Sequence, residues 1–342
     1  MAELDFITIK GFKSISSIEK LKLSPINILI GPNGSGKSNF IGVFSFLHAL
    51  REGRLQEYVA RSGGADKLLH FGARSTDKME IHISFDGEIN QYQIVLAASQ
   101  RDQLVSIRER ALYWIKSSYP RPYEEALLPV NGEAGISGPT NREGVISYVR
   151  DRLDRWRLYH FHDTSSNSPM KKTADLNDNL YFRADGSNLA PFLYLLRQKH
   201  RAEYGLIRGV IQRVAPFFDN FVLEPQRLNP NKIQLEWTHR NSDAYFDASS
   251  LSDGTLRFMA LATLLLQPPA LRPSVILVDE PELGLHPYAI TMLASLIRQA
   301  SSQTQVIVST QSAYLLDHSF LAVAPSGPAF ASPSPCASRV AY

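Results

Sequence analysis

The sequence predicts an α/β fold: a mostly parallel sheet core, an antiparallel N-terminal β part and an inserted lobe of helical and irregular segments. Three observations carry that expectation. Ile26 to Ile30 (INILI) is apolar and β-branched, like a strand buried on both faces, and it runs into a glycine-rich turn. Val275 to Val278 and Gln305 to Ser309 are further short apolar runs set between helical patterns, and strands alternating with helices build parallel sheets. Phe6 to Phe12 (FITIKGF) alternates apolar with polar residues, as a half-buried strand does, and MEIHISF and YQIVLA are two further strand-like runs joined by a hairpin turn pair.

The elements follow in order. After the strand at Phe6–Phe12 come a turn, the INILI strand, a glycine loop, and a helix over Gly36–Leu50 with Phe40, Val43, Phe44, Leu47 and Leu50 at helical spacing. Between Lys78 and Ala98, two strands are joined by Asp86-Gly87, a hairpin turn pair. Residues 101–244 form the lobe. Pro120, Pro122, Pro129 and Pro139 mark it as loop-rich, and helices are expected over Arg150–Arg157 and Asn188–Arg201. Asp253 to Gln267 reads as an apolar helix stopped by Pro268-Pro269, and Pro287 to Arg298 as another. The core is thus assigned to residues 1–100 and 245–317 of a single head spanning 1–317.

Composition narrows the function classes. With 342 residues, 44% hydrophobic and 20% charged, the chain is of the globular type. A net charge of +3 argues against a chain built to coat nucleic acid. Residues 101–240 nevertheless hold 21 basic against 16 acidic side chains, so positive charge gathers in the lobe. Cys336 is the sole cysteine, which rules out an intrachain disulfide or a cysteine-based zinc site and points to a reducing cytoplasm. The charged N-terminus lacks a signal peptide's apolar core, and the longest apolar run, Phe258–Leu266, has nine residues, too few to span a membrane. After Asp317 the chain has no Asp, Glu or Lys; residues 318–342 are rich in Pro, Ala and Ser and are expected to be a disordered, truncated or frameshifted tail.

The chemistry is concentrated in three motifs. GPNGSGKSN places Gly31, Asn33, Gly34, Ser35, Gly36, Lys37, Ser38 and Asn39 between a buried strand and a helix, the setting of a phosphate-binding P-loop. Glycines let backbone N–H groups converge on phosphate oxygens, Lys37 reaches the β- and γ-phosphates, and Ser38 ligates Mg²⁺. SVILVDE ends an apolar strand in two acids at the edge where open α/β sheets bind ligands. There Asp279 holds the Mg²⁺ shell, and Glu280 polarises the attacking water as general base. In LSDGTLRFMAL, Ser252 is placed to cap a helix, with Gly254 beside it.

These elements in this order resemble the ABC-type P-loop ATPases. LSDGT keeps the serine and second glycine of the LSGGQ signature but departs from it at two positions. ITIKGFKSI before the P-loop is similar to the RecF, SMC and OLD branch. DEPELGLHP, STQSAYLLD, YHFHDTS and DGSNLAPFL resemble small stand-alone AAA-ATPase-like proteins of that branch. The resemblance implies an ATP-dependent homodimer in which each nucleotide lies between one chain's P-loop and the other's Ser252 and Gly254. It also implies a D-loop at Gly284-Leu285-His286, a γ-phosphate role for Gln311, and a setting in DNA maintenance or defence beside a partner effector. Two alternatives stay open: a nucleotide-gated scaffold with little turnover, and the nucleotide-binding subunit of a transporter. An OLD-type nuclease domain is not expected, since no carboxylates follow Asp317.

Four features are ambiguous in sequence. Gln91 and Gln93 lie in a plausible region for the Q-loop glutamine, with nothing to single out either. His160 and His162 fall on one face of an extended segment, and with Asp163 they read either as an incomplete metal set or as polar residues of a lobe strand facing the nucleotide or the core. Arg150, Arg152, Arg155 and Arg157 around Trp156 read as a nucleic-acid contact or, with Asp151 and Asp154 interleaved, as an ion-paired helix face. Lys171-Lys172 is expected to face solvent.

Overall fold

The computed structural model describes residues 3–138, 144–312 and 314–315, and the backbone of 339–341. It resolves into two compact units, one ending at Trp156 and including the C-terminal strand, the other beginning at Arg157.

The first unit opens on strands β1 (Leu4–Phe12), β2 (Ile15–Lys22) and β3 (Ile26–Ile30), then helices α1 (Lys37–Arg51), α2 (Leu55–Arg61) and α3 (Ala65–Leu68). Strands β4 (Lys78–Phe85), β5 (Asn90–Ala98), β6 (Leu104–Tyr113) and β7 (Tyr123–Ala126) follow, and then helix α4 (Val145–Asp154). Six of these strands form an antiparallel sheet in the order β2-β1-β4-β5-β6-β7, so the sheet continues past residue 100. The expected hairpin is present: Asp86, Gly87 and Glu88 all take the left-handed backbone between β4 and β5. Phe40, Val43, Phe44, Leu47 and Leu50 of α1 are buried as their spacing requires, and Trp156 packs on Phe44 and Phe85. The expected helix at 150–157 lies further upstream, ending at Asp154.

In the second unit, β8 (Trp156–Tyr159) leads to β9 (Ala174–Asp175), α5 (Leu189–Lys199), α6 (Arg201–Val214), β10 (Phe218–Val222), β11 (Lys232–Ile233), β12 (Glu236–His239) and β13 (Tyr245–Asp247). Next come α7 (Asp253–Leu266), β14 (Val275–Asp279), α8 (Pro287–Ala300) and β15 (Gln305–Thr310). β14 and β15 pair in parallel from Val275↔Gln305 to Asp279↔Ser309, with β8 on the other side of β14. α7 is buried continuously from Leu256 to Leu266, between α6 and α8, as a helix apolar on every side must be. β10, β12 and β13 make a small antiparallel sheet.

The last strand, β16 (Arg339–Ala341), returns to the first unit and pairs antiparallel with β3. The rest of the Pro/Ala/Ser-rich tail expected over 318–342 lies outside the described residues. Among the described residues, no helix is long and apolar enough to cross a membrane.

Candidate nucleotide site

The P-loop belongs to the first unit. β3 is buried along its centre, so the chain leaves it at Gly31 in a fixed direction. Gly34 and Gly36 both adopt left-handed backbone, which side chains resist, and space is open where a Cβ of Gly34 would point. Lys37 is the first residue of α1, and its side chain folds back over the loop. Its ammonium donates to the carbonyls of Gly31 (2.7 Å) and Pro32 (3.0 Å). Asn39 Nδ2 donates to Ser14 Oγ at 2.7 Å, fixing the helix start to the β1–β2 turn. Ser35 Oγ is buried and finds no partner among the described residues. No acidic side chain occupies the first turn of α1. Left-handed glycines, a helix N-terminus free of carboxylates, a buried ammonium and an unsatisfied hydroxyl together suit a phosphate chain. Ser38, one position into the helix, is the residue that fits a cation carried by those phosphates.

The second unit presents the acids. Asp279 ends β14, and its Oδ1 accepts a hydrogen bond from Ser309 Oγ of β15. Glu280 follows in left-handed backbone (φ 42°), a conformation costly for a residue with a Cβ and typical of positions held for function. Two bonds hold it there: its N–H donates to Ser309 O at 2.9 Å, and Gln311 Nε2 donates to its Oε1. Gln311 is itself fixed, because its N–H donates to Glu282 Oε1 at 3.0 Å, where Thr310 Oγ1 also donates at 2.6 Å. Asp279, Glu280 and Gln311 are therefore brought together within one unit.

Ser252 and Gly254 stand at the start of α7. Ser252 caps the helix, its Oγ accepting from Thr255 N at 3.2 Å. Gly254 packs flat on the D-loop: a Cβ there would collide with the carbonyl oxygen of Gly284, which is itself left-handed (φ 74°).

Residues 26–317 match the family described as "AAA domain, putative AbiEii toxin, Type IV TA system". The chain belongs to that family. Among solved structures it is similar to an SMC head bound to the C-winged helix domain of ScpA, with 18% identity and a TM-score of 0.58 over 93% of this chain and 92% of that one. It is also similar to an SMC head with an extended coiled coil, bound to the C-terminal domain of ScpA derived from Pyrococcus furiosus. That match has 15% identity and a TM-score of 0.55 over 93% of this chain and 92% of that one. A search of curated proteins finds no match. The fold of this AAA-domain family member is therefore that of an ABC-type ATPase head.

Two site residues of the family member escaped the sequence. Arg257 of α7 is only 4% exposed. Its guanidinium donates to Phe161 O (2.8 Å), His162 O (3.2 Å) and Leu283 O, so one side chain ties the signature helix to the HFH segment and the D-loop. Burial lowers its pKa from the ordinary arginine value, an effect that nearby Asp253 partly opposes. The available signal was a lone cation inside an apolar helix. Lys171, expected in solvent, is instead half-buried with its side chain largely covered: its ammonium donates to Thr164 O at 2.6 Å and lies 3.8 Å from Asp253 Oδ1. Such a contact between distant segments leaves no local pattern.

The ambiguous features also resolve. Gln91 and Gln93 sit on β5, bonded to His82 and to Glu80 and Arg110 respectively, so both side chains are engaged within the antiparallel sheet. Arg150 is buried against the carbonyls of Ile136 and Gly135, and Arg152 pairs with Glu3 and Asp86, which removes both from a nucleic-acid surface. The acid that joins His160 and His162 is Asp279 and not the adjacent Asp163, whose carboxylate is taken up by Ser165; the ligand atoms of His160, His162 and Asp279 all lie within 4.8 Å of one another.

Proposed function

We propose that the protein is an ATPase that binds ATP with Mg²⁺, hydrolyses it to ADP and phosphate, and forms a homodimer in the ATP state. The backbone N–H groups from Gly31 to Ser38 and the Lys37 ammonium bind and orient the phosphates. Ser38 and Asp279 would hold Mg²⁺, which would supply positive charge against that of the phosphates. Glu280 accepts a proton from water as the water oxygen attacks the γ-phosphorus and the bond to the β-phosphate oxygen breaks. Gln311 holds the Glu280 carboxylate and is assigned the γ-phosphate-sensing role that the family resemblance implies. Ser252 and Gly254 offer the capped start of α7 to the nucleotide of the second copy.

The observation that carries the reading is Glu280: a carboxylate in strained backbone, fixed by Gln311, directly after an acid oriented by Ser309. A setting in cytoplasmic DNA maintenance or anti-phage defence, beside an effector protein, is the wider part of the proposal. Two observations support it. The similar SMC heads were solved with ScpA domains bound. In the second unit, a groove of about 560 Å³ is lined by Arg197, Arg201, Tyr204 and Arg208, chemistry that suits a phosphate backbone.

The test measures phosphate release with and without duplex DNA, alongside ATP binding, for wild type and Glu280→Gln. Turnover is expected to fall about 10²-fold or more in the variant while ATP still binds. An unchanged rate would remove Glu280 as the base.

A further inference from the structure

His160 and His162 have no part in the hydrolysis scheme, yet the fold presents them with care. The segment continues from β8 in extended form, so residues two apart share a face. Phe161, between them, is 3% exposed and packs on Tyr159 and Phe182 with ring centroids 5.8 Å from each. That anchor turns both imidazoles outward, to the opposite face. The backbone carrying them is pinned as well: His160 N donates to Ala184 O at 2.9 Å, and Arg257 holds the carbonyls of Phe161 and His162.

The two imidazoles meet Asp279, with one ligand atom from each residue inside a 4.8 Å span. Ligands on a single ion with bonds of about 2.0–2.2 Å lie roughly 3–4 Å apart, a closure within reach of exposed histidine side chains. Ser309, donating to Asp279 Oδ1, is the outer partner that orients a metal-binding carboxylate. Mg²⁺ takes oxygen ligands and keeps its waters, whereas imidazole suits zinc, copper, iron and nickel, with cobalt a spectroscopic stand-in for zinc. Two nitrogens and one carboxylate with positions left open match the three-ligand sets that hold such ions.

We propose that His160, His162 and Asp279 form a binding site for a nitrogen-preferring divalent transition-metal ion of the Zn²⁺ and Co²⁺ class. The site shares Asp279 with the proposed hydrolytic machinery, but it lies within the second unit and requires neither ATP nor the P-loop.

Chelator-treated, nucleotide-free full-length protein titrated with Co²⁺ provides the test, read by visible d–d absorption and equilibrium dialysis. Wild type is expected to bind one Co²⁺ per chain, to release it to Zn²⁺, and to retain it against about a hundredfold excess of Mg²⁺. His160→Ala and His162→Ala, both at exposed side chains and checked for wild-type circular dichroism, are each expected to bind at least about tenfold more weakly. His239→Ala, at a histidine remote in sequence, and Lys37→Ala, in the P-loop, are expected to bind as wild type. Retention in Lys37→Ala separates the metal site from the ATPase reading, since either can then fail alone. Absence of stoichiometric Co²⁺, wild-type affinity in both histidine variants, or displacement by Mg²⁺ on equal terms would overturn the proposal.

Discussion

Arg257 shows what a single residue does in the second unit: three carbonyls from two loops end on one guanidinium at the start of the signature helix. Glu109 plays a comparable part in the first unit. It is 3% exposed, and its carboxylate accepts from the N–H groups of Gly135 and Ile136 at 2.7 Å each and from Tyr92 OH at 2.9 Å. Burial is the largest influence on this carboxyl and raises its pKa above the ordinary range, against the pull of those donors. A raised folded-state pKa means that the folded protein holds this proton more tightly than the unfolded chain does. That contribution is complete below the ordinary carboxylate range and is lost as pH rises through the raised value. Urea unfolding of Glu109→Gln should therefore show a larger loss of stability at about pH 5 than at about pH 8. Equal losses at both would show that the proton does not matter. Residues whose placement is set by local spacing, such as Gly34, Gly36, Lys37 and Ser252, were legible in sequence. Arg257, Lys171 and Glu109 were not, because each acts on backbone far away in the chain.

At the level of elements, legibility followed the hydrophobic pattern. INILI and VILVD read correctly because every neighbour agrees on a buried strand. β2 was missed because it is an edge strand with only Ile15 and Ile18 buried, its other positions holding Glu19, Lys20 and Lys22. β6 inverts the expected alternation, exposing Ile107 while burying Glu109, after a register shift opposite Val95 and Leu96. α6 was missed where Gly205 and Gly209 weaken the helical signal, and where the chain breaks at His200 between α5 and α6. The start of α7 gives an element-scale prediction. In a helix interior, replacing glycine by alanine stabilises by about 1 kcal/mol. At Gly254, however, the new Cβ meets the carbonyl of Gly284. Gly254→Ala is therefore expected to lower thermal stability by about 1–3 kcal/mol, through forced displacement of the D-loop. A stabilised variant would mean that this contact is loose.

Across the whole chain, the motifs divide between units: phosphate-binding groups in the first, and the acids, Gln311, Ser252 and Gly254 in the second. The small net charge conceals an excess of basic residues in 101–240, part of which lines the groove of α5 and α6. The chain belongs to the AAA-domain family and has the fold of an SMC head, and the proposed ATP-driven cycle is the central claim. In the proposed cycle, ATP would join two copies through Ser252 and Gly254, and hydrolysis by Glu280 would part them. Solution mass with and without ATP tests this most directly, using Glu280→Gln to hold the ATP state. The account predicts twice the 38.3 kDa chain mass with ATP, the single-chain mass without it, and the single-chain mass with ATP once Ser252→Arg is added. A mass indifferent to ATP, or a dimer that survives Ser252→Arg, would contradict it.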